Sequence, residues 1–422
     1  MAAASGGTSA VTAAVGPLAD VRVVDLTSAM AGPYCTMVLA DLGAEVIKVE
    51  APGAGDITRQ AGPFAPDDRL RAFGGYFQSV NRNKKAIAVD LKQEEGREIL
   101  RRLVAVSDVL VENFRAGVME RLGLDYETLR AVNPRLVYAA IRGFGDPRTG
   151  KSPYADWPAY DVVAQAMGGI MSMTGPDPDH PIKAGGGVGD TVPGLMAAIG
   201  ILAALHHARR TGEGQFLDVA MYDGILAICE RIVYMYSYAG VVTRPQGNRH
   251  SLFCPFELFP TRDGWVAICA PADHQWRELC AAMGRPELAD DSRFATNAAR
   301  VEHCEEVRRL VTDWTSARTK AEVVAALGGR VPCGPVQDAA EIFADPHVRA
   351  REMLVELEHP GCGRPRAVAG VPVKLTLTPG SVRHRAPLLG EHTAQVLLSL
   401  GYGPEDIARL RNRGIIYTPE SD

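Results

Sequence analysis

From Val21 onward the chain alternates short β-type apolar runs with amphipathic helical stretches. The runs are VRVVDL starting at Val21, EVIKVE (45–50), AIAVDL (86–91), DVLVEN (108–113) and LVYAAI (136–141). Between them lie helical segments such as 32–42 and 93–106, the second placing Ile99, Leu100, Leu103 and Val104 on one face. Strands separated by helices of that length predict an α/β fold, a parallel sheet with helices on its faces. Ligands of such sheets bind outside the carboxyl ends of the strands, so the residues that follow each run are the ones to inspect.

Farther on, residues 193–208 form an almost wholly apolar helix, opened by Pro193 and closed by Arg209 and Arg210, which predicts burial in a core or an interface. A strand FLDVAM (216–221) and a helix over 222–239 follow. After a Pro/Gly-rich loop at 240–253 the pattern changes to a strand at 265–270 and helices near 273–284, 296–316 and 319–327. The expected organisation is a disordered tail (1–18), a large domain (19–240), a smaller α+β domain (241–335) and a C-terminal part (336–422) that rejoins the large domain.

Composition narrows the function classes. The 422 residues carry a formal charge of −5, with acidic and basic residues interspersed. A sequence-independent nucleic-acid binder needs a clustered positive field, so no nucleic-acid partner is expected. Eight cysteines are scattered without a C-x-x-C pair or zinc-ligand spacing, which predicts reduced thiols, no metal and a cytoplasmic protein. The first sixteen residues lack the basic start of a secretory signal and the arginines of a presequence, and 192–205 is too short and too interrupted to span a bilayer.

Three motifs offer chemistry. GDPRTGKS (145–152) matches the phosphate-cradling loop G-x-x-x-x-G-K-[ST], but Pro153 and Pro158 deny it the helix whose amides would face the phosphates. GGGVGDTVPG (185–194) presents one carboxylate, Asp190, at the mouth of the apolar helix. An N-cap is the plainer reading. The two roles are compatible, because the helix dipole and local amides hold such a carboxylate ionised, as a nucleophile requires. Finally, Val89, Lys92, Asn113, Phe114 and Arg121, with NRNKK (81–85), lie near strand ends and could hold an adenine and phosphates. Taken singly, each cation reads as a solvated surface residue.

Together these stretches resemble the class III CoA-transferases, the family of formyl-CoA transferase and carnitine CoA-transferase. The matching segments are 25–56, 79–92, 111–124, 159–169, 187–194, 211–215, 331–336 and 385–393, in family order. The resemblance implies a Rossmann-like large domain, a small domain and an interlocked homodimer. It further implies that Asp190 relays CoA through an anhydride and an aspartyl thioester, with Val89, Lys92, Asn113, Phe114 and Arg121 binding CoA and Tyr160 near the reacting centre. No cofactor beyond the CoA substrate is implied. Ser28 and Met30 replace a His and a Gln of formyl-CoA transferase, and Ala51 replaces an arginine. These departures argue against formyl-CoA and oxalate as substrates. The NRNKK, GAGD and AYD signatures resemble the branch that uses succinyl-CoA with a dicarboxylic acceptor, whose distal carboxylate Arg82 or Arg249 would meet. A racemase of the same superfamily needs a histidine where Tyr160 precedes Asp161. The same resemblance leaves room for intramolecular CoA transfer and for a CoA-binding protein without catalysis.

Overall fold

The computed structural model describes residues 16–419, so most of the expected tail lies outside the described residues. Leu18, assigned to that tail, is instead buried against Val21 and Leu39. The chain divides into two compact units, one holding residues up to 170, 184–230 and 347 onward, the other 171–183 with 231–346.

The first unit is built on a seven-stranded sheet. Its strands are β1 (Arg22–Asp25), β2 (Glu45–Glu50), β3 (Lys84–Val89), β4 (Val109–Glu112), β5 (Val137–Arg142) and β6 (Phe216–Ala220). These pair in parallel in the order 3-2-1-4-5-6, and a C-terminal strand at Ile416–Tyr417 adds antiparallel to β3. The mixed α/β architecture with a mostly parallel sheet is the expected one. Successive strand residues alternate between two cores, as a period of two dictates. Val23, Val46, Val109 and Val137 face α1 (Ala31–Asp41) on one side. Val24, Ile47, Leu110 and Tyr138 face the other, where helix Glu94–Ala105 supplies Ile99, Leu100, Leu103 and Val104.

The long apolar helix runs from Val188 to Thr211, five residues earlier than the hydropathy pattern predicts. It has the length and hydropathy of a membrane span. Ala197, Ile201, Ala204 and Leu205 nevertheless pack on the sheet beside α1, as in a core helix. The segment read as one helix over 222–239 is two, Met221–Ile228 and Glu230–Ala239. The second unit folds around an antiparallel sheet of Phe256–Thr261, Gly264–Cys269 and Cys333–Pro335, with Trp276, Leu279, Val307 and Trp314 in its core.

Under the carboxyl ends of β1 and β2 lies a buried charge network. Lys84 Nζ sits 2.9 Å from Asp25 Oδ2, and Lys48 Nζ sits 2.8 Å from Asp56 Oδ2. Burial alone would push Asp25 up, but Lys84 and Lys48 outweigh it and hold the carboxyl below its ordinary value. Burial lowers Lys84 to about 8. NRNKK is therefore a largely structural segment, with only Lys85 partly open to solvent. Lys84 and Arg82 are buried in ion pairs, and Lys85 pairs with Glu45 at 2.6 Å.

Removing one partner of a buried pair strands the other charge. Lys84→Ala is expected to lower unfolding stability by about 3–5 kcal/mol, measured by urea denaturation. A loss under about 1 kcal/mol would show that the network does not hold the sheet ends.

Candidate active site

The strand order reverses between β1 and β4, and such a switch point opens a crevice at the carboxyl ends. Here the two loops that leave these strands are tied to each other. Ser28 N donates to Asn113 Oδ1 at 2.9 Å, and Asn113 Nδ2 donates back to Ser28 O at 2.7 Å. Ala29 adopts φ 67°, a region costly for a residue with a Cβ. Its N–H donates to Asp56 Oδ1 at 3.3 Å, so the charge network below shapes the loop above.

Two cavities meet at this junction. The first, about 440 Å³, is lined by Ser28, Met30, Tyr76, Arg115, Tyr160 and Asp190 among others. The second, about 390 Å³, is lined by Val89, Lys92, Phe114, Arg121, Leu26 and Leu122 among others. Ser28 and Phe114 line both, and Asn113 lines the first. The second cavity pairs an apolar wall with two exposed cations, Lys92 and Arg121, that make no ion pair with any described residue.

Of the two candidates for the distal carboxylate, Arg82 departs from expectation. Arg82 is 3 % exposed and donates to Asp41 Oδ2 at 2.7 Å, so it lines neither cavity. A buried guanidinium needs a carboxylate partner, and Asp41 supplies it. Arg249 belongs to the second unit, where it pairs with Glu305. Asn113 has its side-chain oxygen and one amide hydrogen committed to the Ser28 backbone, which makes it a tie between loops as well as a wall.

Two residues that the sequence patterns do not single out also line the first cavity. Tyr76 is half-buried, and its phenol is pushed up by burial and by Asp190, Asp56 and Asp161. Arg115 is exposed and without an ion-pair partner among the described residues. Arg142 also lines the cavity, but its guanidinium is neutralised by Glu112 at 2.6 Å and by Asp146. Nothing in the hydropathy pattern marks Tyr76. Arg115 sits directly after Asn113 and Phe114, and a cation beside two candidate site residues was the signal available.

Asp190 stands in the first turn of the Val188–Thr211 helix rather than capping it. The N-cap is Gly187 at φ 64°, and the capping carboxylate comes from Asp161, whose Oδ1 accepts from Gly189 N at 2.7 Å. Gln165 Nε2 holds both Asp161 oxygens at 2.9 Å. A Cβ on Gly189 would fall 2.4 Å from Asp161 O, so this close approach demands glycine. Burial and then the Asp161 charge raise the Asp190 carboxyl to about 6. The helix dipole, expected to hold it low, is outweighed. The result is a carboxylate more basic than an exposed one yet largely ionised at neutral pH, half-buried in a cavity with two phenols. Such a group is suited to attack on an acyl carbon.

The segment 145–157 is a run of turns, with Asp146 O accepting from Thr149 N and Gly150 N, and no helix opens at Lys151. The phosphate-loop match is a chance one.

The model of CoA-transferase family III matches residues 18–393. A succinyl-CoA:mesaconate CoA-transferase of Haloarcula hispanica is 49% identical, covering 92% of this chain and 98% of its own. A formyl-CoA:oxalate CoA-transferase of Streptomyces avermitilis is 39% identical, covering 94% and 99%. The crystal structure of a CAIB/BAIF family protein from Brucella suis superposes with a TM-score of 0.80 at 38% identity, covering 91% and 99%.

An attacking Asp190 must be ionised, so kcat/KM is expected to fall on the acid side with an apparent pKa near 6. Burial also raises Glu112, to about 7, and Asp161→Asn separates the two carboxyls. Removing the Asp161 charge should shift the acid limb to lower pH, measured as the pH dependence of initial rates. An unmoved limb assigns the titration to another group.

Proposed function

Because the chain belongs to CoA-transferase family III, we propose that this enzyme moves CoA from succinyl-CoA to a dicarboxylic acid, with Asp190 as the covalent relay. The observation that carries the reading is a carboxyl raised to about 6 in a cavity that adjoins a second one, lined by an apolar wall and two cations unpaired among the described residues. CoA lies with its adenine against Val89 and Phe114 and its phosphates toward Lys92 and Arg121. The thioester passes Ser28 into the first cavity.

The Asp190 carboxylate attacks the succinyl carbonyl, forming a mixed anhydride and releasing CoA thiolate. The thiolate attacks the aspartyl carbonyl, giving an aspartyl-CoA thioester and free succinate. The acceptor carboxylate then displaces CoA thiolate as a new anhydride, and the thiolate takes the acceptor acyl group, which frees Asp190. Every step exchanges an acyl group between a carboxylate and a thiolate, so no metal or further cofactor enters. Tyr76 and Tyr160 line the same cavity as Asp190 and supply the phenols that would donate to the developing oxyanion.

The acceptor is a dicarboxylate longer than oxalate, in keeping with the higher identity to the mesaconate enzyme than to the oxalate enzyme. Arg115 takes the role expected of Arg82. It lines the Asp190 cavity, and its charge is not cancelled as that of Arg142 is. A second copy of the chain covers the outward face of the Val188–Thr211 helix. There Leu195, Ile199 and Leu202, at helical spacing, are 42%, 68% and 36% exposed. Eight free cysteines fit a cytoplasmic enzyme.

Incubation of unlabelled succinyl-CoA with ¹³C-labelled C4–C6 dicarboxylates should place label in the thioester pool, read by mass spectrometry. Asp190→Ala should reduce this by several orders of magnitude with CoA binding retained. Unlabelled thioester in every combination removes the transferase reading, and α-deuteration from D₂O without label transfer marks an isomerase. For Arg115→Ala, KM for the dicarboxylate should rise about tenfold or more. KM for a monocarboxylate and affinity for CoA should hold. A loss of CoA affinity instead assigns Arg115 to the CoA phosphates.

A further inference from the structure

Within the second unit, two free thiols distant in sequence are brought together. Cys254 Sγ and Cys304 Sγ lie 2.8 Å apart across a separation of 50 residues. A disulfide has sulfurs about 2.05 Å apart, so less than about 1 Å of closure is needed. We propose that Cys254 and Cys304 form an oxidation site, which a peroxide or a small-molecule disulfide converts into an intramolecular disulfide.

Neighbouring bonds hold both residues in place. Cys254 N donates to Asn297 Oδ1 at 3.2 Å, and Arg300 Nε donates to Cys254 O at 2.9 Å. Cys304 is the first residue of the helix Cys304–Ser316, and the next residue, Glu305, pairs with Arg249 on the opposing loop. The two thiols differ in access: Cys254 is 1 % exposed, whereas Cys304 is partly open to solvent. They also differ in acidity. The hydrogen bond from Cys254 holds the Cys304 thiol below its ordinary value, with help from Arg249 and against burial. The same contact, with burial, pushes Cys254 up. Cys304 is therefore the attacking thiolate, since the thiolate is the nucleophilic form.

With hydrogen peroxide, Cys304 thiolate attacks one oxygen and expels hydroxide, becoming a sulfenic acid. The Cys254 thiol then attacks that sulfur and releases water. In sum, two thiols and one peroxide give one disulfide and two waters. With a small disulfide, two exchange steps release two small thiols. The product staples residues 248–254 to the start of the Cys304–Ser316 helix and closes a loop of some 50 residues, which restricts the unfolded chain.

The test is equimolar hydrogen peroxide on the full-length enzyme, followed by alkylation in denaturant, digestion and mass spectrometry. The expected product joins the peptides bearing Cys254 and Cys304, weighs two hydrogens less than their sum and separates with dithiothreitol. The melting temperature should rise by several degrees on oxidation and return on reduction. Cys304→Ser, a substitution at the more exposed position, should abolish both changes without unfolding the protein. Alkylation of both residues after peroxide treatment overturns the proposal, and so does a cross-link elsewhere, such as between Cys269 and Cys333.

Discussion

Two carboxylates and two ammonium groups, sealed from solvent beneath the ends of β1 and β2, are the constraint on which the site depends. Asp25, Lys84, Lys48 and Asp56 have no exposed side-chain surface beyond 1 %. None could be buried without the others. Part of their remaining hydrogen-bonding capacity is directed at the loop that leaves β1. Lys48 Nζ donates to Thr27 O at 2.7 Å, Asp25 Oδ1 accepts from Thr27 N at 2.9 Å, and Asp56 accepts from Ala29 N. The strained turn that presents Ser28 and Met30 is thus suspended from charges that also hold the sheet. The reciprocal Ser28–Asn113 bonds carry that order across the switch point to β4.

A similar economy governs Asp190. The Asp161 carboxylate that caps the helix by accepting from Gly189 N is also the charge that, after burial, raises Asp190. One residue therefore starts the helix and tunes the group that the helix presents. Glycine at 189 is the condition for both, since any side chain would collide with the Asp161 backbone. In the relay proposed above, basicity near neutrality matters. The nucleophile must be ionised enough to attack and basic enough to outdo an exposed carboxylate.

Much of this was legible in the sequence. Short apolar runs at 21–26, 45–50, 86–91, 108–113 and 136–141, separated by helical stretches, predicted a parallel sheet, because each face of every strand had to be buried. Lys92, Val89, Phe114 and Arg121 lay after strands, and the fold brings them to one cavity. Long-range electrostatics were not legible. Arg82 and Lys84 look like a basic surface run until Asp41 and Asp25, distant in sequence, are found against them. The apolar helix starts at Val188 because a carboxylate from another helix caps it, and nothing local to 185–194 announces that. Tyr76 escapes notice for the same reason, since its neighbours Asp190 and Asp161 are more than 80 residues away.

The most direct measurement is mass spectrometry of the peptide bearing Asp190 after brief incubation with succinyl-CoA and quenching with hydroxylamine, which captures acyl carboxylates and thioesters as hydroxamates. A hydroxamate on Asp190, absent without acyl-CoA, is the predicted outcome. An unmodified Asp190 in enzyme that is turning over, or an adduct on another residue, contradicts the account.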